Sequence, residues 1–186
     1  RVISDRDWVV TLDIRADDDV IDPACGSGGF LLHALDHVRK LASQYYDEDS
    51  KEHFNYWHSF AEKRLFGIEI NEEIARVAKL NLIVHDDGHT NVIASDGLLT
   101  DVEMQAKSAN KEFRYNSFDY IITNPPFGSS IKLNEKAYLG LYKLGTKETD
   151  WLDIKAEINK TNTRDSQSTE VLFIEQCHKF LVEHGY

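Results

Sequence analysis

Apolar positions along the chain follow two periodicities. Compact runs at Val20-Ile21, Leu65–Ile70, Thr90–Ala94 and Phe118–Thr123 are too short for helices and read as buried strands. Between them the spacing changes to three and four. Phe30, Leu31, Ala34, Leu35, Val38, Leu41, Ala42 and Tyr45 predict a helix over 30–46. Asn71 reads as the cap of a second helix carrying Ile74, Ala75, Ala78 and Leu82, with Glu72 and Glu73 in its first turn and Gly88 as its stop. Val171, Leu172, Ile174, Leu181 and Val182 predict a last helix, with Ser168 as candidate cap and Gly185 as stop. Strands alternating with helices predict a parallel sheet covered on both faces.

The remaining stretches are less regular. Residues 1–14 fit a short helix leading to the first strand, and Asp17–Asp19 reads as a solvated turn. The charged and aromatic segment 47–63, with His53, Phe54, Tyr56, Trp57, His58 and Phe60, predicts an inserted helix or lid packed at the sheet edge. Its two histidines lack a cysteine or carboxylate set at ligand spacing, so no metal is expected. Residues 98–117 read as a polar loop with a helical turn. Residues 129–167 have few periodic apolar positions and predict a long, partly mobile loop.

Chemistry enters where the first strand stops. Asp22-Pro23-Ala24-Cys25-Gly26-Ser27-Gly28-Gly29 joins that strand to the first helix, the layout of a nucleotide-type cofactor site at the carboxyl edge of a parallel sheet. Glycines let the backbone turn tightly and come close to a ligand. The second and third strands also end in acids, Glu69 and Asp96, and the fourth ends in Asn124. Right-handed crossovers place all four ends along one edge. There Glu69 suits two ribose hydroxyls, Asp96 a purine amino group, and Asp22 an ammonium. A redox dinucleotide fits poorly: Leu31 occupies the third glycine slot, and Glu69 lies 43 residues past Gly26 where about 20 are expected. The glycine-lysine signature of a P-loop is missing.

Composition narrows the setting. The 186 residues are 41% apolar, enough for one α/β core, and no apolar run is long enough to span a membrane. The two cysteines, Cys25 and Cys177, make no disulfide framework, and a cytoplasmic location is expected. A net charge of −11 argues against a stand-alone nucleic-acid-binding module, so a nucleic-acid substrate would be gripped largely by other segments or subunits. Both ends read as cut from a longer protein.

Asn124-Pro125-Pro126-Phe127 makes the sharpest distinction. Two prolines fix the backbone and remove two amide donors, leaving the preceding carbonyls free as acceptors. Asn124 adds a side-chain carbonyl and Phe127 a flat face, a combination suited to a planar substrate with an exocyclic amine. The plainer alternative is a turn with Phe127 in the core.

On these residues the chain resembles S-adenosyl-L-methionine-dependent amino methyltransferases. It is most similar to the modification (M) subunit of type I restriction-modification systems, a DNA adenine-N6 methyltransferase. The segments carrying the resemblance are Asp22–Phe30, Phe66–Asn71, Ser95–Leu98 and Asn124–Gly128, with a weaker match at Ser168–Phe173. The resemblance implies a Rossmann-like class I methyltransferase fold, incomplete here, with one domain over 1–186. It implies that Asp22, Pro23, Ala24, Cys25, Gly26 and Gly28 line the methionine end of the cofactor. Glu69 would hold its ribose, Ile70 would lie on its adenine, and Asp96 with Gly97 would meet the adenine amino group. Asn124, also placed at the cofactor, and Pro125 would bind the target amine beside Pro126, with Phe127 stacked on the flipped base. DNA, a specificity (S) subunit and a restriction (R) subunit are the implied partners. Cytosine N4, a guanine of ribosomal RNA or a protein glutamine remain alternative acceptors, and a non-catalytic cofactor-binding scaffold the alternative role.

Overall fold

The computed structural model describes residues 12–85, 91–108, 111–132, 137–147 and 162–183. The expected helix over 1–14 and the stops at Gly88 and Gly185 fall wholly or mostly outside them. The chain divides into two compact units, one made of residues 1–124 and 180–186 and the other of residues 125–179.

The first unit is built on four parallel strands. β1 (Val20–Asp22), β2 (Leu65–Glu69), β3 (Asn91–Ala94) and β4 (Tyr120–Ile121) lie in the order β3-β2-β1-β4. Val20 and Ile21 pair with Leu65 and Phe66 on one side and with Tyr120 and Ile121 on the other. Strand order therefore reverses at β1, the position where open α/β sheets place ligands at their carboxyl edge.

Side chains alternate across this sheet, as the period of two requires. Val20 and Leu65 face a core with Leu31, Leu35, Val38, Trp57, Phe60, Ala78 and Leu82. Ile21, Phe66 and Ile68 face the opposite core with Met104, Phe113, Phe118 and Phe180. The first core is covered by α1 (Gly29–Tyr45), α2 (Lys51–Arg64) and α3 (Glu72–Val84). The second holds the inner face of α4 (Asp101–Ser108), a full helix where the sequence indicates only a turn.

Local signals explain the helix starts. Ser50 accepts a bond from the His53 amide at 3.1 Å and caps α2, the predicted insert. Its Trp57, Phe60 and Ala61 are buried against the first core, and Arg39 of α1 lies 4.0 Å over the Trp57 ring. Asn71 caps α3, its Oδ1 accepting from the amides of Glu73 (3.0 Å) and Ile74 (3.2 Å). The Asp17–Asp19 turn is less solvated than its charge implies: Asp19 is half-buried and paired with Arg64 at 3.1 Å.

The second unit has its own framework. β5 (Ser130–Lys132) pairs antiparallel with β8 (Ser166–Ser168), and β6 (Thr146–Lys147) with β7 (Asn162–Thr163). α5 (Thr169–Phe180) begins directly after Ser168, the predicted cap position. From it, Gln176 accepts from the Tyr142 hydroxyl at 2.7 Å. Glu175 takes the amides of Lys143 (3.0 Å) and Leu144 (2.8 Å). The stretch predicted as a long, partly mobile loop carries short strands and two 3-10 turns among its described residues.

Gly67 sets how closely α1 approaches the sheet. A Cβ there would lie 2.8 Å from Leu31 Cδ1, 3.1 Å from Cys25 Sγ and 3.2 Å from Val92 Cγ2. Gly67→Ala should destabilise the fold by about 1–3 kcal/mol. Urea unfolding of the full-length parent reads this directly; an unchanged midpoint would show that Leu31 and Val92 have room to yield.

Candidate functional site

The site begins with a carboxyl group that water does not reach. Asp22 ends β1 and is 1% exposed. Its Oδ1 accepts the Ala24 amide at 3.0 Å. Burial pushes its pKa up to about 7, with the nearby Glu69 charge adding to the rise and the Thr123 hydroxyl and Ala24 amide opposing it. The Thr123 hydroxyl is itself buried. It lies close enough to favour the charged form of Asp22 without meeting the geometry of a full hydrogen bond.

The glycine loop follows and is tied to β2. The Cys25 amide donates to the Ile68 carbonyl at 2.9 Å, and the Gly28 amide returns to the Cys25 carbonyl at 2.9 Å. Gly26 (φ 54°) and Gly28 (φ 88°) are left-handed, which explains glycine at both. No atom would lie within 4 Å of a Cβ on Gly26, so the loop leaves open space there. Pro23, Cys25 and Gly28 are buried, while Ala24 and Gly26 are partly exposed. Burial, reinforced by Asp22 and Glu69, pushes the Cys25 thiol far above its ordinary value, which makes it a packing residue rather than a nucleophile.

Glu69 joins three segments. Its Oε2 accepts the Gly26 amide at 3.1 Å and its Oε1 the Asn71 amide at 2.8 Å. Its own carbonyl takes the Ser95 amide at 2.9 Å. Sequence reasoning placed Glu69 at the edge but missed this bridge, because a contact across 43 residues leaves no local periodicity. Ile70, next to it, is 65% exposed despite its apolar side chain. Beyond β3, Asp96 Oδ1 accepts the Leu98 amide at 3.0 Å, and Gly97 is buried. The Ser95 hydroxyl is buried with no hydrogen-bond partner among the described residues, a polar atom that sequence reasoning had not singled out.

β4 completes the edge. The Ile122 amide donates to the Ile21 carbonyl at 3.2 Å, so the chain leaving β4 passes beside Asp22 and reaches Asn124, which is exposed. Asp22, Glu69, Asp96 and Asn124 therefore follow the carboxyl ends of β1, β2, β3 and β4 in one sheet. Asn124 closes the first unit, and Pro125, Pro126 and Phe127 open the second. Phe127 is 72% exposed, which excludes the alternative of a core turn residue.

These features fit a ligand that is cationic at one end and flat at the other. A buried carboxyl with a raised pKa gains most from a cation, the open space at Gly26 admits close approach, and an exposed Ile70 offers an apolar platform. Among the described residues no group of three or more histidine, cysteine or acidic side chains could hold a metal, and no helix is long and apolar enough to cross a membrane.

Comparison with known proteins agrees with this geometry. The chain is 31% identical over 118 residues to the type II restriction enzyme and methyltransferase RM.BcgI of Heyndrickxia coagulans, covering 63% of this chain and 16% of the relative. It is 34% identical over 118 residues to a type I restriction enzyme methylase subunit, MjaVII, of Methanocaldococcus jannaschii, covering 62% of this chain and 16% of that one. The chain thus spans about one sixth of the length of these curated relatives. A modification subunit of a putative type I restriction enzyme from Vibrio vulnificus shares the fold, with a TM-score of 0.62 at 24% identity over 94% of this chain and 29% of that one. The profile of the N-6 DNA methylase family matches residues 6–185. With nearly the whole chain inside that match, the protein belongs to the N-6 DNA methylase family.

Proposed function

We propose that this chain forms the catalytic centre of an enzyme that transfers a methyl group from S-adenosyl-L-methionine to the N6 amine of a flipped adenine in DNA. The observation that carries this reading is the reversal of strand order at β1, which sets the Asp22 loop and Asn124 side by side on one sheet edge. Family membership and the curated relatives, both restriction-system proteins, support it.

Asp22, Pro23, Ala24, Cys25, Gly26, Gly28, Glu69, Ile70, Asp96, Gly97 and Asn124 would hold the cofactor. Asp22 would face its ammonium, the glycine backbone its methionine end, Glu69 its ribose hydroxyls, Ile70 its adenine face and Asp96 its adenine amine. Glu69 accepts one backbone amide at each carboxylate oxygen, which leaves a second lone pair on each for the two ribose hydroxyls. S-adenosyl-L-methionine supplies an electrophilic methyl on a sulfonium. Asn124 Oδ1 and the Pro125 carbonyl accept the two amine hydrogens of the target base. That orients the nitrogen lone pair and raises its electron density as the new bond forms. Pro126 contributes no competing amide donor, and Phe127 stacks on the extruded base. As the N–C bond forms, the methyl–sulfur bond would break with its electron pair going to sulfur, so that the thioether S-adenosyl-L-homocysteine is the leaving group. The amine proton would pass to water, and no covalent enzyme intermediate is needed.

The acidic balance of the chain fits an enzyme whose DNA is gripped elsewhere. We infer a cytoplasmic restriction-modification complex in which a specificity subunit reads the DNA and a restriction subunit cleaves it.

Two outcomes follow. Asn124→Ala in the full-length parent should lower single-turnover transfer by at least about 100-fold. Cofactor affinity should change far less. Retained transfer would remove Asn124 from the chemistry. The Asp22 carboxyl, raised to about 7, binds more protons folded than unfolded, so its contribution makes stability fall as pH rises from about 4 to about 7. Cofactor affinity, needing the charged form, should rise over the upper part of that window. Asp22→Asn should flatten both profiles, adding on the order of 4 kcal/mol of stability above pH 7 while weakening cofactor binding. Denaturation and calorimetry on either side of neutrality check this; cofactor affinity in the wild type that does not change with pH would contradict it.

A further inference from the structure

Phe127 has a task that its own packing does not secure. At 72% exposure it has little around it, so the direction of its ring depends on the backbone that carries it. On the upstream side Pro125 and Pro126 restrict that backbone. On the downstream side Gly128 is left-handed, with φ 75°, a conformation that leaves glycine many alternatives once its ties are cut.

Those ties come from the start of α5. Glu170 Oε1 accepts the Gly128 amide at 2.7 Å, across 42 residues of sequence. The Gly128 amide holds the Glu170 carboxyl below its usual carboxylate value, as expected for a charge-assisted bond. One residue on each side, the Ser129 and Thr169 hydroxyls bond at 2.7 Å, and the Thr169 amide donates to the Ser129 carbonyl at 3.1 Å. β5 then pairs with β8 from Ser130 and Ser168 outward. The hydroxyl pair and the ladder begin after Gly128. Glu170 grips the loop one residue from Phe127.

We infer that Glu170 is a positioning residue for the target base: by fixing Gly128 it sets the angle at which Phe127 meets the flipped ring. This rests on the reading of residues 124–127 as a base-binding loop. Glu170 Oε2 is buried and meets the geometry of no full hydrogen bond among the described residues, while the residue's own amide and the Ser168 side chain lie close enough to favour the charged form. Oε1 is the atom that reaches Gly128, and glutamine can supply the same acceptor there.

The test uses the full-length subunit with its specificity partner on DNA containing its own site, in four variants: Glu170→Ala, Glu170→Gln, Phe127→Ala and the double Glu170→Ala/Phe127→Ala. Glu170→Ala should slow single-turnover methyl transfer roughly 10- to 100-fold, the scale of a misplaced reacting group. Cofactor affinity and unfolding midpoint should stay at wild-type values, and Glu170→Gln should recover most of the rate. On the Phe127→Ala background, Glu170→Ala should add less than about twofold, because the two act through one contact. Amide exchange over 125–130 should accelerate in Glu170→Ala and not in Glu170→Gln. Full multiplicative effects of the two alanines would overturn the inference, as would wild-type transfer by Glu170→Ala or a general loss of fold and cofactor binding. If the wild type transfers no methyl to DNA, the functional reading fails by itself. Exchange then still decides whether Glu170 holds the loop: acceleration in the alanine variant alone supports it, and equal exchange in all forms overturns it.

Discussion

Burial of β1 on every side is the constraint from which the site follows. The strand has three residues, all buried, with parallel neighbours on both edges and helices over both faces. A strand so enclosed has no solvent at its end either, and the residue delivered there is Asp22. Desolvation of that carboxyl disfavours its charged form, and the penalty is relieved by neutralisation or by a cation. The same strand marks the reversal of sheet order, so the place where a cation is wanted is also where the chain leaving β4 brings Asn124.

Much of this arrangement was legible in the sequence because the signals were local. Short apolar runs ending in Asp22, Glu69 and Asp96 were readable without any tertiary information, since strand ends and turn glycines are fixed within a few residues. Asn71 as a cap and the helix over 30–46 were equally local. What escaped was carried by distant contacts. α4 offers Val102, Met104 and Ala106 as apolar positions, spaced by two rather than by three and four, and becomes a helix by packing Met104 against Phe113 and Phe118. β4 is shorter than Phe118–Thr123: Phe118 bridges Leu181, and only Tyr120 and Ile121 pair with β1. β5 and β8 are largely polar, and their pairing appears only when segments some 36 residues apart meet.

Glu69 and Glu170 share a way of working. Each is an acid that accepts the amide of a glycine in a loop, Gly26 in one unit and Gly128 in the other. Glycine gives a loop its close approach and its left-handed turn at the expense of definition, and a carboxylate on rigid secondary structure restores that definition at a single amide. Glu69 sits at the end of a strand and Glu170 in the first turn of a helix, both anchored by their own cores. Nothing in residue spacing links either acid to its glycine, which is why the sequence shows the glycines and the acids but not the pairs.

We propose that this sheet edge brings a sulfonium methyl to an adenine amine. That is tested most directly by nucleoside mass spectrometry of DNA from a host expressing the full-length parent with its partner subunits, beside the same strain carrying Asn124→Ala. The account predicts N6-methyladenine in the first strain and its loss in the second. N4-methylcytosine in its place would contradict the choice of base while leaving the cofactor edge intact, and the absence of any modified base in both strains would contradict the claim itself.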